Sequence, residues 1–109
     1  MNKVTVTCAI DFSCLFIVNN AGVGMFGAIE AQSMGKIRSM FATNVYGPIN
    51  LTQKLVPIWK KQKSGHLIMV SSIGGVVALP FNSTYCASKF AIEGFSEALA
   101  AECVKFGIK

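Results

Sequence analysis

The stretch "TYCASKF", Thr84 to Phe90, sets a tyrosine and a lysine four positions apart inside a segment of helical period. Four residues is about one helical turn, so Tyr85 and Lys89 share a face and reach a common space. The spacing alone is cheap: a chain this long shows Tyr-x-x-x-Lys somewhere with odds of roughly one in five. Its surroundings decide whether the pair is a site or two residues on a helix surface.

With 109 residues the chain is one domain at most, 52% apolar and only 14% charged. It can bury a core and is not disordered by composition. So apolar a short chain also implies surfaces meant to be covered by further segments or subunits. The longest stretch without a charge, Ser64 to Ser88, is broken by Gly65, His66, Ser71, Ser72, Gly74, Gly75, Pro80 and Asn82, a poor bilayer span. Asp11 interrupts the apolar start, which argues against a secretory leader. The protein therefore reads as soluble.

The net charge of +5 includes one dense run, Lys60, Lys61 and Lys63. It reads as a solvated helix end, where cations complement the carbonyl dipole. No basic stripe with interleaved aromatics supports nucleic-acid binding. Cys8, Cys14, Cys86 and Cys103 lack Cys-x-x-Cys spacing, and with His66 the only histidine there is no zinc set and no metal site is expected. Scattered thiols in an apolar chain read as buried and reduced, hence an intracellular, cytoplasmic compartment.

Leu15 to Val18 reads as a short buried strand ending in "NNAG". From Ser33 to about Gln62 the period is helical, with Leu51, Leu55 and Ile58 on one face and Trp59 beside them. His66 to Val70 is a second strand, closed by "SSIGG". Ser83 is placed to cap a helix from about Thr84 to Phe106, with Gly107 as its stop, and Ile108–Lys109 open another strand. Gly94, inside that helix, suggests close packing against another element. His66 opens a strand and reads as structural. Strand, helix, strand, helix is the parallel α/β pattern. Two strands make an incomplete sheet, so the fold class is α/β, an incomplete Rossmann-like parallel sheet: the central strand-helix-strand-helix portion of a doubly wound fold. Gly22 to Gly27 matches G-x-G-x-x-G, but Ala28–Gln32 does not clearly open a helix and no acid lies about 20 residues on. That match reads as fortuitous.

Asn19-Asn20-Ala21-Gly22, Asn44, Ser72, Tyr85 and Lys89 together resemble the short-chain dehydrogenase/reductase family. The resemblance runs from about Phe16 to Lys109 and rests on "NNAG", "TNVYG", "VSSIGG" and "YCASKFAIEGFSEALA" in that order, with thirteen positions from Ser72 to Tyr85. Each motif alone is weak and has an ordinary explanation, such as turn residues or an exposed ion-bearing helix face. Their joint order is specific. "LPFNSTYCASKFAIEG" is similar to the steroid and retinol dehydrogenase branch, which hints at a lipophilic substrate.

The resemblance implies an NAD(P)-dependent oxidoreductase, NADP slightly favoured, interconverting an alcohol and a ketone or aldehyde. Its catalytic residues are Asn44, Ser72, Tyr85 and Lys89; its cofactor contacts are Asn19, Asn20, Ala21, Gly22, Tyr85 and Lys89. A free tyrosine ionises near pH 10, and a neighbouring ammonium favours the phenolate, so Tyr85 is the proton carrier and Lys89 its helper, also holding the nicotinamide ribose. Ser72 steadies the substrate oxygen. Asn44 anchors a water: Pro48, four residues on, has no N–H to give the Asn44 carbonyl. The long helix and the one before it form a subunit interface, so the complete protein is expected to be a homo-oligomer.

The family begins with a strand and a Thr-Gly-x-x-x-Gly-x-Gly phosphate loop, which the chain does not display. Residues 1–14 are unlike the family and 15–109 are the recognisable core of one partial NAD(P)-binding domain, 1–109. At about 30 residues per βα unit, roughly half the fold is absent. The expectation is a truncated segment of an enzyme, inactive by itself; the alternative is a non-catalytic remnant serving at most as a dimerisation module.

Overall fold

The computed structural model describes residues 16–109. The start of the first strand at Leu15, and the expectations for residues 1–14, Cys8 and Cys14, lie outside them. The elements are β1 (Phe16–Asn19), α1 (Met34–Phe41), a π turn (Ala42–Tyr46), α2 (Gly47–Gln62), β2 (His66–Met69) and α3 (Ser83–Cys103), with single 3-10 turns at Ile29–Ala31, Ile73–Gly75 and Val104–Phe106. The parallel α/β pattern is therefore present.

β1 and β2 pair in parallel, Phe16 opposite His66 through Asn19 opposite Met69. The Val70 N–H donates to the Asn19 carbonyl at 2.9 Å and carries the ladder one residue further. On the far side of β2 the chain end joins the sheet. Ile108 bridges Gly65, the Lys109 N–H donates to Gly65 at 2.9 Å, and the Leu67 N–H donates to Lys109 at 2.8 Å. The third strand expected at Ile108 thus begins beside β2. His66 packs against Phe16, with ring centroids 5.0 Å apart and planes tilted by 52°.

Among the described residues, the helices cover one face of the sheet. Ile17, Trp59, Cys103 and Ile108 form the buried cluster, flanked by Leu51, Leu55, Leu67 and Leu99. Phe16, Val18, Ile68 and Val70 alternate onto the other face and are exposed. Parallel sheets usually bury both faces, and among the described residues nothing covers this one. On α2 the expected apolar face needs correction: Trp59 is 0% exposed and Ile58 47%. At 100° per residue the buried arc centres on Thr52 and Trp59, which leaves Ile58 at its margin. Thr52 tolerates burial because its Oγ1 donates to the Pro48 carbonyl at 2.7 Å.

The helical run from Ser33 to Gln62 is continuous but not uniform. Ser33 caps α1, its Oγ accepting from the Lys36 N–H at 3.3 Å. At Ala42–Tyr46 the ladder widens, the Gly47 N–H donating to Ala42 five residues back. Pro48 explains this: its ring crowds the carbonyl four residues earlier, and a wider turn relieves it. α2 ends with Lys63 in the left-handed region at φ 55°. Gly65 then passes so close to Trp59 that a Cβ there would lie 2.5 Å from the indole.

α3 starts one residue earlier than expected, with Asn82 rather than Ser83 as its cap residue. The Asn82 side chain turns back to the Pro80 carbonyl at 3.1 Å and makes no capping bond. Gly107 ends the run as expected, at φ 71° and with a Cβ position only 2.7 Å from the Lys63 carbonyl. Among the described residues, nothing lies within 4 Å of where a Cβ at Gly94 would be.

Gly65→Ala should destabilise the protein by about 1–3 kcal/mol through overpacking against Trp59. An equilibrium denaturant titration followed by Trp59 fluorescence reads the shift in midpoint, and an unchanged midpoint contradicts the packing described.

Candidate active site

Parallel α/β sheets collect ligands at the carboxyl ends of their strands. Here β1 leaves through Asn19–Gly22, and β2 leaves through Val70–Ser72 into the Ile73–Gly75 turn. G-x-G-x-x-G fails as a fingerprint: only the three-residue 3-10 turn Ile29–Ala31 follows Gly27, whose φ is 143°.

Asn44 lies in the π turn and is 3% exposed. Its Oδ1 accepts from the Val23 N–H at 2.8 Å, and its Nδ2 donates to the Val23 carbonyl at 2.9 Å and to Ser88 Oγ at 3.0 Å. Ser88 in turn donates to the Tyr85 carbonyl at 2.7 Å. The asparagine therefore grips the loop after β1 at two points and ties it to the turn of α3 that carries Tyr85 and Lys89.

Lys89 is 6% exposed. Its ammonium donates to the Val70 carbonyl at 3.2 Å, at the end of β2, and lies 5.9 Å from the centroid of the Tyr85 ring. A Cβ at Gly22 would sit 3.4 Å from Lys89 Nζ and 3.7 Å from Asn44 Oδ1. The bare glycine lets the loop come down onto both groups. Gly22, Asn44 and Lys89 thus meet at one point.

Ser72 starts the Ile73–Gly75 turn, its Oγ accepting from the Gly74 N–H at 3.3 Å. Gly74 is buried against Tyr85: a Cβ there would lie 3.2 Å from the ring. A Cβ at Gly75 would strike Ser71 Oγ at 2.5 Å and approach the Lys89 carbonyl at 3.2 Å. Two glycines therefore let the Ser72 turn lie flat on α3 beside Tyr85. Of the remaining residues, Asn19 donates across the sheet to Met69 Sδ at 3.2 Å, while Asn20 and Ala21 sit on the loop between β1 and Gly22.

Sequence reasoning missed Ser88, Val23 and the two turn glycines. Ser88 is fully buried, yet a serine in mid-helix carries no signal of its own, since its hydroxyl commonly bonds back to its own helix. The cavity of about 180 Å³ bordered by Trp59, Ser71, Glu93 and Cys103 lies on the helix-covered side of the sheet, and none of Asn44, Ser72, Tyr85 or Lys89 lines it. Among the described residues, no group of three metal-ligating side chains comes together.

The sequence matches the short chain dehydrogenase family over residues 11–109. The chain belongs to that family. It is 42% identical over 92 residues to retinol dehydrogenase 8 of Bos taurus, covering 84% of this chain and 30% of that protein. It is 41% identical over 92 residues to 17-beta-hydroxysteroid dehydrogenase type 1 of Homo sapiens, covering 84% of this chain and 28% of that one. The steroid and retinol branch read from "LPFNSTYCASKFAIEG" is the one these relatives represent.

The solved short-chain dehydrogenase from Streptomyces avermitilis superposes with a TM-score of 0.83 at 40% identity, over 86% of this chain and 35% of that one. Two further family structures hold nicotinamide cofactors. ElxO with NADP bound has a TM-score of 0.83 at 27% identity, over 86% of this chain and 38% of that one. 4-hydroxyisoleucine dehydrogenase with NADH has a TM-score of 0.82 at 25% identity, over 86% of this chain and 42% of that one. The chain spans about a third of the length of these relatives, and its Rossmann-like fold is correspondingly incomplete. Among the described residues no helix is long and apolar enough to cross a membrane.

Asn44→Ala leaves the Val23 N–H and carbonyl without their buried partner and should cost about 1–3 kcal/mol. Thermal or denaturant unfolding of the variant checks this, and stability equal to the parent contradicts the grip.

Proposed function

We propose that residues 15–109 are the catalytic core of an NAD(P)-dependent oxidoreductase that interconverts a lipophilic alcohol and its ketone or aldehyde. The observation that carries this reading is the placement of Lys89: buried, tethered to the end of β2 through Val70, and one turn from Tyr85 with its ammonium 5.9 Å from the ring.

The residues fit the nicotinamide-ribose end of such a cofactor. An ammonium has three N–H donors, and the Lys89 ammonium spends one on Val70. Gly22 leaves its approach open from the loop side. Lys89 with the Asn19–Gly22 loop would hold the ribose, and NADP is the favoured form. When bound, the nicotinamide supplies the hydride acceptor or donor.

The chain's own residues manage the proton. In oxidation the Tyr85 oxygen takes the proton of the substrate hydroxyl, and in reduction it returns one to the carbonyl oxygen. Lys89 stands one turn further along the same helix, its ammonium 5.9 Å from the Tyr85 ring. The Ser72 hydroxyl donates to the substrate oxygen and steadies its developing charge. Pro48 gives no N–H to the Asn44 carbonyl, which would anchor a water in the path by which protons reach Lys89. Among the described residues nothing occupies the face of α3 at Gly94, which leaves room for a second copy to pack there. The retinol and steroid dehydrogenase relatives support the lipophilic substrate.

The test is a chimera in which residues 16–109 replace the matching segment of the Streptomyces avermitilis enzyme. The chimera should oxidise alcohols with NAD(P), and Tyr85→Phe should lower turnover by about 10²–10⁴-fold with cofactor binding retained. A folded, cofactor-binding chimera without turnover instead identifies this segment as a non-catalytic remnant.

A further inference from the structure

The lysine run at the end of α2 does not stand alone. Lys60 and Lys61 lie in the last turn of α2 and Lys63 follows in the left-handed position. The 3-10 turn after α3 brings Lys105 to the same place: the Lys60 and Lys105 ammonium groups both lie over the Phe106 ring, 4.7 Å and 5.2 Å from its centroid. Gly107 abuts the Lys63 carbonyl, and the Lys109 backbone pairs with Gly65 and Leu67 at the start of β2. Five lysines from two distant segments therefore converge on one end of the fold. Neither 58–63 nor 103–109 contains an Asp or Glu; Glu102 is the nearest in sequence.

Helix dipoles account for Lys60 and Lys61, which lie in a last turn. Lys63, the C-cap residue of α2, shares in that attraction, whereas Lys105 and Lys109 stand outside both helices. Gathering like charges costs free energy that an anionic surface would return. Val104, 70% exposed, adds an aliphatic tip on the turn that carries Lys105.

We propose that this end of the protein is a docking surface for an anionic lipid bilayer, held by lysine–headgroup attraction with Val104 dipping into the interface. The chemistry favours lipid over nucleic acid. The patch has no arginine to fork onto phosphates or bases. Phe106, between the two segments, is half-buried and engaged by two ammonium groups, so its ring is not free to stack on a base. Four to eight clustered lysines or arginines suffice for peripheral attraction to anionic lipid, each strengthening binding about fivefold. Docking this way leaves the carboxyl ends of β1 and β2, at the opposite end of the strands, facing the aqueous side. The proposal is independent of the catalytic reading.

The test is cosedimentation of the full chain with vesicles of phosphatidylcholine alone and of phosphatidylcholine with about one-third phosphatidylserine. The chain should bind the anionic vesicles, leave the neutral ones unbound, and dissociate as salt rises. The triple variant Lys61→Gln, Lys63→Gln, Lys105→Gln should bind about a hundredfold more weakly, and the corresponding triple Arg variant should retain binding. Lys61 and Lys63 are exposed, so the single changes Lys61→Gln and Lys63→Gln, each expected to weaken binding about fivefold, carry the test where the triple variant does not fold. Equal binding to neutral vesicles, no binding to anionic ones, or a Gln variant that binds like the parent would overturn the proposal. So would tighter binding to duplex DNA than to the anionic vesicles at the same salt.

Discussion

The carboxamide of Asn44 holds the candidate site together. A primary amide carries one acceptor oxygen and two N–H donors. Asn44 commits the oxygen to the Val23 N–H and its donors to the Val23 carbonyl and Ser88 Oγ. No other short side chain offers that set: aspartate lacks the donors and serine lacks the reach. Because the group is buried, each bond left unmade would cost the desolvation of a polar atom. Three segments far apart in sequence, at residues 23, 44 and 88, are thereby fixed to one another. Asn44 makes these bonds from within the π turn that precedes Pro48, in keeping with the habit of π turns to mark functional positions.

The position of Lys89 follows from this frame. A buried ammonium is costly unless its donors are met, and the Val70 carbonyl meets one of them at the strand end. Gly22 lies in contact range of Lys89, and at Gly74 a Cβ would press on the Tyr85 ring at 3.2 Å. The loop from β1 and the turn from β2 therefore close on α3 from two sides, with the tyrosine and lysine between them. The sheet contributes direction, and the glycines contribute proximity.

Much of this was legible in the sequence, for identifiable reasons. Tyr85 and Lys89 share a face because helical period is local, and Gly107 marks a helix end because few other residues adopt its φ without strain. The parallel pairing followed from two short apolar runs with a helical crossover. What stayed hidden depends on tertiary contact. Ser88 looks like any helical serine until Asn44 is opposite it. Ile58 and Trp59 are equally apolar, and only the sheet decides which one is buried. Gly94 suggested a close neighbour, yet the described residues bring none to it, while Gly65 was decided by Trp59 through space. Asn82 displaced Ser83 as the cap residue because its backbone carbonyl already accepts from the Cys86 N–H at 2.8 Å.

Amide hydrogen exchange at Val23, measured by NMR on the full chain, tests the grip of Asn44 most directly. Val23 lies outside every helix and strand, so its N–H has no ladder to protect it. The account predicts exchange slowed on the order of a hundredfold or more relative to an unstructured peptide, because opening it requires breaking the buried Asn44 bond. Exchange at the rate of a free loop would contradict it.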